Sequence, residues 1–265
     1  MKIAVSGKGG VGKTTIAGVL ARTLVHRGFK VLAIDADPNA NLALSLGISP
    51  NMAEKIVPIS ENADLIEEKT GVRPGSSGSV FRLSFRVDDI LDNFSLKSPD
   101  GVNLLVMGAV KAAGGGCMCS ANALVRSLLR YLLVKRDEAV VVDMEAGTEH
   151  LGRGTAEAVD VMLVVTEANL KALETAKRVY KLSEELGIKR IFIVGNKVVG
   201  PSDEDMIRRF CDDNDLPLLE LIPYDEEMRQ ADARGDTLID FSSSSKGISA
   251  IQKMGEKLLK TKGKS

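Results

Sequence analysis

Gly7-Lys8-Gly9-Gly10-Val11-Gly12-Lys13-Thr14-Thr15 reads GKGGVGKTT, and its first eight residues fit the pattern G-x-x-x-x-G-K-[ST]. The stretch follows the apolar run Ile3–Val5 and opens a segment with helix-forming composition, the setting this pattern requires. The glycines let backbone N–H groups converge on phosphate oxygens, and a helix N-terminus adds positive potential. Gly9, Gly10, Val11, Gly12 and Thr15 are therefore predicted to cradle a phosphate chain. Lys13 is predicted to reach its β- and γ-phosphates, and the Thr14 hydroxyl to ligate Mg²⁺. Cradling phosphate uses one lysine, so Lys8 needs another explanation.

Outward from the loop, short apolar runs recur at Val31–Ile34, Leu104–Met107, Val140–Val142, Val161–Val165, Ile191–Val194 and Leu218–Ile222. Runs apolar on both faces read as strands covered on each side. Between them lie helical patterns. One is expected from Lys13 to before Gly28. Another is expected from Asn169 to Leu186, where Leu170, Leu173, Ala176, Val179, Leu182 and Leu186 recur at helical spacing and Gly187 follows as a cap. The alternation predicts an α/β fold: a doubly wound, mainly parallel sheet with helices on both faces, the P-loop NTPase architecture. Residues 1–265 are expected to form one domain. Two stretches depart from the alternation. Residues 71–100 hold a flexible lead-in, GVRPGSSGS, and the strand-like Val80–Val87; residues 112–120 read AAGGGCMCS. Segment 71–120 is a candidate client- or interface-forming region.

The 265 residues suffice for a large core. A formal net charge of −1 argues against nucleic acid as the main partner, and no apolar run approaches the roughly 20 residues of a membrane span. Met1 leads straight into a strand-like segment, so no signal peptide is expected. Three cysteines without a regular framework suit a reducing cytoplasm.

Further acids fall at predicted strand ends. Asp35 and Asp37 close VLAIDADPNANL, where a carboxylate can hold a water; Asp143 closes AVVVDMEAG and is the right type of residue to hold Mg²⁺ through water. With these residues the chain resembles the MinD/ParA/nitrogenase-iron-protein family of dimeric ATPases. The likeness runs from Lys2 to about Tyr224, through GKGGVGKTT, DADPNANL, DMEAG, VGNKV and IPYD. It implies that Lys8 reaches across a homodimer to the partner's bound ATP, as an arginine finger does. It also implies that Asp37 positions the attacking water and that Asp143 lies in the γ-phosphate-sensing switch. Asn196 would bond the adenine edge, with Pro223–Glu226 closing over the base. Asp35 is left as a candidate Mg²⁺ neighbour, and Glu145 as either a site residue or a solvated one.

Cys117 and Cys119, two apart, place two thiolates on a small loop or first helical turn, where a helix N-terminus favours the metal-binding form. Two sulfurs half-fill a tetrahedral site; two chains sharing the site would supply four, suited to Zn²⁺ or Ni²⁺. Buried or incidental cysteines remain open on spacing alone. CMCSANAL and DMEAGTEHLGRGTAEAVD resemble the CooC-type nickel-maturation ATPases of carbon monoxide dehydrogenase and their relatives serving acetyl-CoA synthase. The resemblance implies ATP-driven dimer rearrangement coupled to holding and releasing Ni²⁺ for such a client enzyme. His150 is expected to be a polar structural residue sooner than a ligand, and Cys211 helix core.

Three other readings compete. The first is a positioning ATPase: Ile248, Ile251, Met254, Leu258 and Leu259 share a helical face followed by a basic tail, which could lie on an anionic membrane, although docking on the chain's own core is the expected use. An iron–sulfur carrier would want cysteines that are well separated. An amidase or ligase would want a second-substrate pocket, which no motif marks.

Overall fold

A computed structural model describes residues 1–37, 39–74, 87–108, 119–135, 138–146, 153–234 and 245–260. Its centre is an eight-stranded sheet built of β1 (Lys2–Gly7), β2 (Val31–Ala36), β3 (Leu96–Lys97), β4 (Asn103–Val106), β5 (Ala139–Met144), β6 (Val161–Thr166), β7 (Ile191–Val198) and β8 (Leu218–Pro223). The order across the sheet is β3-β4-β2-β5-β1-β6-β7-β8. Every pair is parallel except β3 with β4. Each predicted apolar run became a strand. β2, β5 and β6 are buried along their whole length, as parallel strands covered on both faces must be. The two-residue β3 was not foreseen, being too short to show any alternation.

Helices cover both faces. α1 (Lys13–His26) lies on one face with the short α2 (Leu42–Ser45) and α3 (Pro50–Ala53). On the other are α4 (Ala63–Thr70), α5 (Val87–Phe94), α6 (Cys119–Lys135), the short α7 (Arg153–Ala156), α8 (Leu170–Glu185) and α9 (Pro201–Asp213). α10 (Glu226–Arg234) and α11 (Lys246–Lys260) return to the α1 side, so two apolar cores sandwich the sheet. Chain order turns back at β1, whose neighbours are β5 and β6, so the loop after Gly7 opens at a topological switch point, the usual ligand crevice of such sheets.

α8 starts and stops as its sequence dictates. The Asn169 side chain accepts the Ala172 N–H at 2.9 Å, and Gly187, at φ +90°, follows the last turn while Ile188 N–H donates back to Ser183. Its buried face keeps the expected Leu173, Ala176 and Val179 but is rotated away from the expected edges. Ala172, Leu173, Ala176, Val179 and Ser183 pack inward, whereas Leu170 is 67 % and Leu182 41 % exposed. Spacing finds a stripe but does not fix its rotation when small residues share the interface.

α11 uses the face that could have met a membrane. Ile248, Ile251, Met254 and Leu258 are buried in the α1-side core, and Gly255 lets the helix approach Leu20 so closely that a Cβ there would come within 3.0 Å of its methyl. Leu259 is half-buried. No helix among the described residues is long and apolar enough to cross a membrane.

The strand expected over Val80–Val87 falls outside the described residues up to Arg86, and Val87 itself opens α5. Most of the cysteine-bearing stretch also lies outside them; Cys119 is described as the first residue of α6.

Candidate active site

The loop from Gly7 to α1 is shaped by contacts that allow no side chain at two positions. Gly7 has φ +149°, and a Cβ there would sit 2.3 Å from the Val165 carbonyl oxygen. Gly12 has φ +89°, and its Cβ would sit 2.3 Å from the Asn196 amide nitrogen. The loop's carbonyls are drawn onto donors of the chain itself. Lys13 Nζ donates to the Lys8 carbonyl at 3.3 Å, Lys197 Nζ to that of Gly10 at 2.7 Å, and Asn196 Nδ2 to that of Val11 at 2.8 Å. With those oxygens occupied elsewhere, N–H groups are left for an anion. Gly9 and Gly10 are exposed at the tip, Lys8 is half-buried, and Lys13 is buried with its ammonium 4.0 Å from Asp37 Oδ2.

Strand register assembles the acids. Asp143 pairs with Val5 of β1 on one side and with Asp35 of β2 on the other, at the carboxyl ends of three adjacent strands. Thr14 Oγ1 donates to Asp143 Oδ2 at 2.6 Å; Asp143 Oδ1 is buried and has no hydrogen-bond partner among the described residues. Burial raises the Asp143 carboxyl to about 7; the Thr14 hydrogen bond opposes the rise, and the neighbouring Asp35 charge adds to it. Asp35 is raised to about 6, again by burial, against the lowering effect of N–H groups from Leu42 and Asp37 at 2.9 and 3.2 Å. These bonds make Asp35 the organiser of the turn into α2. Asp37 is at the rim, its Oδ1 accepting the Asn39 N–H at 2.9 Å.

These residues fit Mg²⁺. A buried carboxylate oxygen without a donor, beside a hydroxyl that could turn its lone pair outward, is a cation's preference. Mg²⁺ commonly takes few protein ligands and completes its octahedron with water and phosphate oxygens. No cluster of three or more His, Cys, Asp or Glu side chains among the described residues is arranged for a metal. The cysteine pair is not covered by that statement: Cys117 and His150 lie outside the described residues, and of Cys119 the backbone alone is described.

Other expected residues are placed as follows. Asn196 is buried and its amide is engaged with the phosphate loop. Pro223 ends β8 opposite Val198, and the next residues are tethered: Tyr224 N–H donates to the Val198 carbonyl at 2.9 Å and Tyr224 Oη to Glu226 at 2.8 Å. The Glu145 side chain is exposed while its carbonyl accepts Ser6 Oγ at 2.8 Å. Cys211 is buried in α9 with its thiol pushed up to about 11 by burial, an inert core cysteine as expected. Sequence reasoning missed Lys197, Ser6 and Glu167, whose Oε1 lies 2.8 Å from Lys197 Nζ. Lys197, next to Asn196 at a strand end, was the one with a usable signal.

Residues 2–239 match the CobQ/CobB/MinD/ParA nucleotide-binding domain family. The chain is similar to the carbon monoxide dehydrogenase accessory protein CooC of Rhodospirillum rubrum, at 47 % identity covering 91 % of this chain and 90 % of that one. An uncharacterised ATP-binding protein of Methanocaldococcus jannaschii is 44 % identical over 99 % of both chains. Among solved structures, the septum site-determining protein MinD of Pyrococcus horikoshii, in complex with Mg-ADP, shares the fold with a TM-score of 0.69 at 24 % identity, covering 99 % of this chain and 97 % of that one. The chain therefore belongs to the CobQ/CobB/MinD/ParA nucleotide-binding family and is an ATPase of the CooC type within it.

Proposed function

We propose that this ATPase is a metallochaperone: it dimerises with nucleotide, metal or both, and assists nickel insertion into carbon monoxide dehydrogenase or acetyl-CoA synthase. The observation that carries the reading is the 47 % identity to CooC, along a chain that presents Cys117-x-Cys119 where β4 leads into α6. Cys119 opens the 17-residue α6, a helix N-terminus favours the thiolate form, and two chains contributing Cys117 and Cys119 would supply four sulfurs to one Ni²⁺ or Zn²⁺ ion.

In this reading Gly9, Gly10, Val11, Gly12, Lys13, Thr14 and Thr15 receive the phosphates of ATP, and Asn196 and Pro223 bound the base. Thr14 and Asp143 hold Mg²⁺, Asp143 through water; when bound, the ion neutralises charge on the β- and γ-phosphates. Asp37 holds the attacking water in line with the γ-phosphorus, and the bond to the β–γ bridging oxygen breaks to leave ADP and phosphate. Lys8, at the rim of the loop, extends to the partner's phosphates, which ties hydrolysis to dimerisation. The rival reading as a membrane-positioning ATPase drew on the α11 face, and that face is spent on the core.

The test uses a nickel-free carbon monoxide dehydrogenase as client. With Ni²⁺ and ATP, added protein should speed activation, and Lys8→Ala or Cys117→Ser protein should not. Activation at the rate of Ni²⁺ alone would overturn the reading.

A further inference from the structure

Lys197 is the residue at this site that neither the motif nor the nucleotide chemistry accounts for. It sits at φ +57°, in the left-handed region that non-glycine residues avoid. The β7–β8 register shifts on the same stretch, between Gly195 and Val198. A regular strand sends successive side chains to opposite faces. Here Asn196 and Lys197, successive residues, both reach the phosphate loop, the first at the Val11 carbonyl and the second at that of Gly10. The irregular backbone is what makes this possible, and its cost persists because the two side chains are held on the loop.

The ammonium is itself held. Glu167, one residue past the end of β6, receives Lys197 Nζ on Oε1 at 2.8 Å, and its Oε2 lies 3.4 Å from the side-chain amide of Asn169, the cap of α8. Lys197 thus spans from the β6–α8 junction to a carbonyl at the loop's exposed tip. No other described donor is bonded to the Gly10 carbonyl. An unheld carbonyl at a glycine is free to rotate toward the loop's concave side, where it would meet phosphate oxygens with repulsion.

We propose that Lys197 is a positioning residue for ATP: by turning the Gly10 carbonyl outward it pre-organises the phosphate loop for its anion. The consequence belongs to binding more than to turnover, since a bound phosphate chain can impose the loop shape once present. Losing the clamp moves that ordering cost into the binding step. The inference rests on the nucleotide site alone, and it stands or falls independently of the nickel reading and of Lys8.

The experiment compares wild-type protein with Lys197→Gly, Lys197→Ala and Lys197→Arg. It reads ADP affinity by calorimetry, KM and kcat for Mg-ATP, and melting temperature. Glycine accepts φ +57°, so Lys197→Gly removes the ammonium without straining the backbone and should melt close to wild type. Its Kd for ADP and its KM for ATP should rise about tenfold, the loss expected of a charge-assisted hydrogen bond, with kcat within about threefold. Lys197→Ala should lose the same affinity at a lower melting temperature. Lys197→Arg should recover most of the affinity. Unchanged ADP affinity in Lys197→Gly would overturn the proposal. So would an affinity loss that Arg does not restore and that follows melting temperature across the variants, which would mark Lys197 as a fold residue.

Discussion

Asp143 makes the site's readiness for a cation measurable as a pH effect. Its folded carboxyl titrates near 7 against 3.8 as the ordinary value, so between those pH values the folded, metal-free chain holds a proton that the unfolded chain has lost. Stability must then fall as pH rises through that window, and Asp35, raised to about 6, adds to the same slope. In chelator, the melting temperature should drop from about pH 5 to about pH 8. Asp143→Asn should flatten part of that slope and stabilise the nucleotide-free protein at the upper end by about 1–3 kcal/mol, while impairing hydrolysis. A melting temperature that rises over this range would show Asp143 to be ionised and compensated. Lys8 offers the complementary test: Lys8→Ala should keep ADP binding within a few-fold and lose about 10³-fold or more in hydrolysis, as removal of a finger residue does. Full turnover by a Lys8→Ala monomer would end the trans role. Asp143 was legible as a candidate because its signal is local, an acid at the end of an apolar run; the fixed glycine pattern accounts for Lys13 but not for Lys8, whose reach to a partner was implied by the family resemblance and stays a proposal. Asn196 was legible as a site residue, but its hold on Val11, 185 positions away, was not, and neither was the role of Asp35 in capping the turn to α2. Those depend on strand register, which spacing does not encode.

The elements were legible where periodicity and caps agreed, and less so where orientation mattered. α8 was found through Asn169 and Gly187, yet Leu170 and Leu182 face outward because Ala172 and Ser183 let the backbone sit close to the sheet on a rotated face. Helix α5 begins at Val87, the last residue of the stretch that alternation had assigned to a strand, and the rest of that stretch lies outside the described residues. α11 shows the reverse situation, an ambiguous pattern decided by packing. Its apolar stripe fits a membrane surface or a core, and the structure buries it on α1 and β8. Ile251→Ala should therefore cost about 2–4 kcal/mol in denaturant unfolding, as a fully buried isoleucine does. The intact protein should show no ATP-dependent co-sedimentation with anionic vesicles. Sedimentation with ATP, together with an Ile251→Ala variant as stable as the parent, would mean that the helix leaves the core.

At the scale of the whole molecule, β5 leads from the phosphate site into the segment that follows it in the chain. Asp143 at its end touches the phosphate-loop helix through Thr14, and the chain runs on from β5 toward the segment that carries His150. Cys119 opens α6, which packs on the face of the sheet opposite to α1. The doubly wound, mainly parallel architecture and the phosphate loop were legible because they rest on runs and motifs within single segments, whereas the strand order rests on pairing between distant segments and was not. The homodimer with a metal site shared between two chains was implied by the family resemblance and stays a proposal, since half the ligands of such a site would belong to another molecule. The most direct measurement is a Ni²⁺ or Zn²⁺ titration of the reduced, nucleotide-free protein with molecular mass followed by light scattering. The account predicts one ion for every two chains and a doubling of mass, both lost in Cys117→Ser and in Cys119→Ser. Metal bound by monomers, or binding unchanged by either substitution, would contradict it.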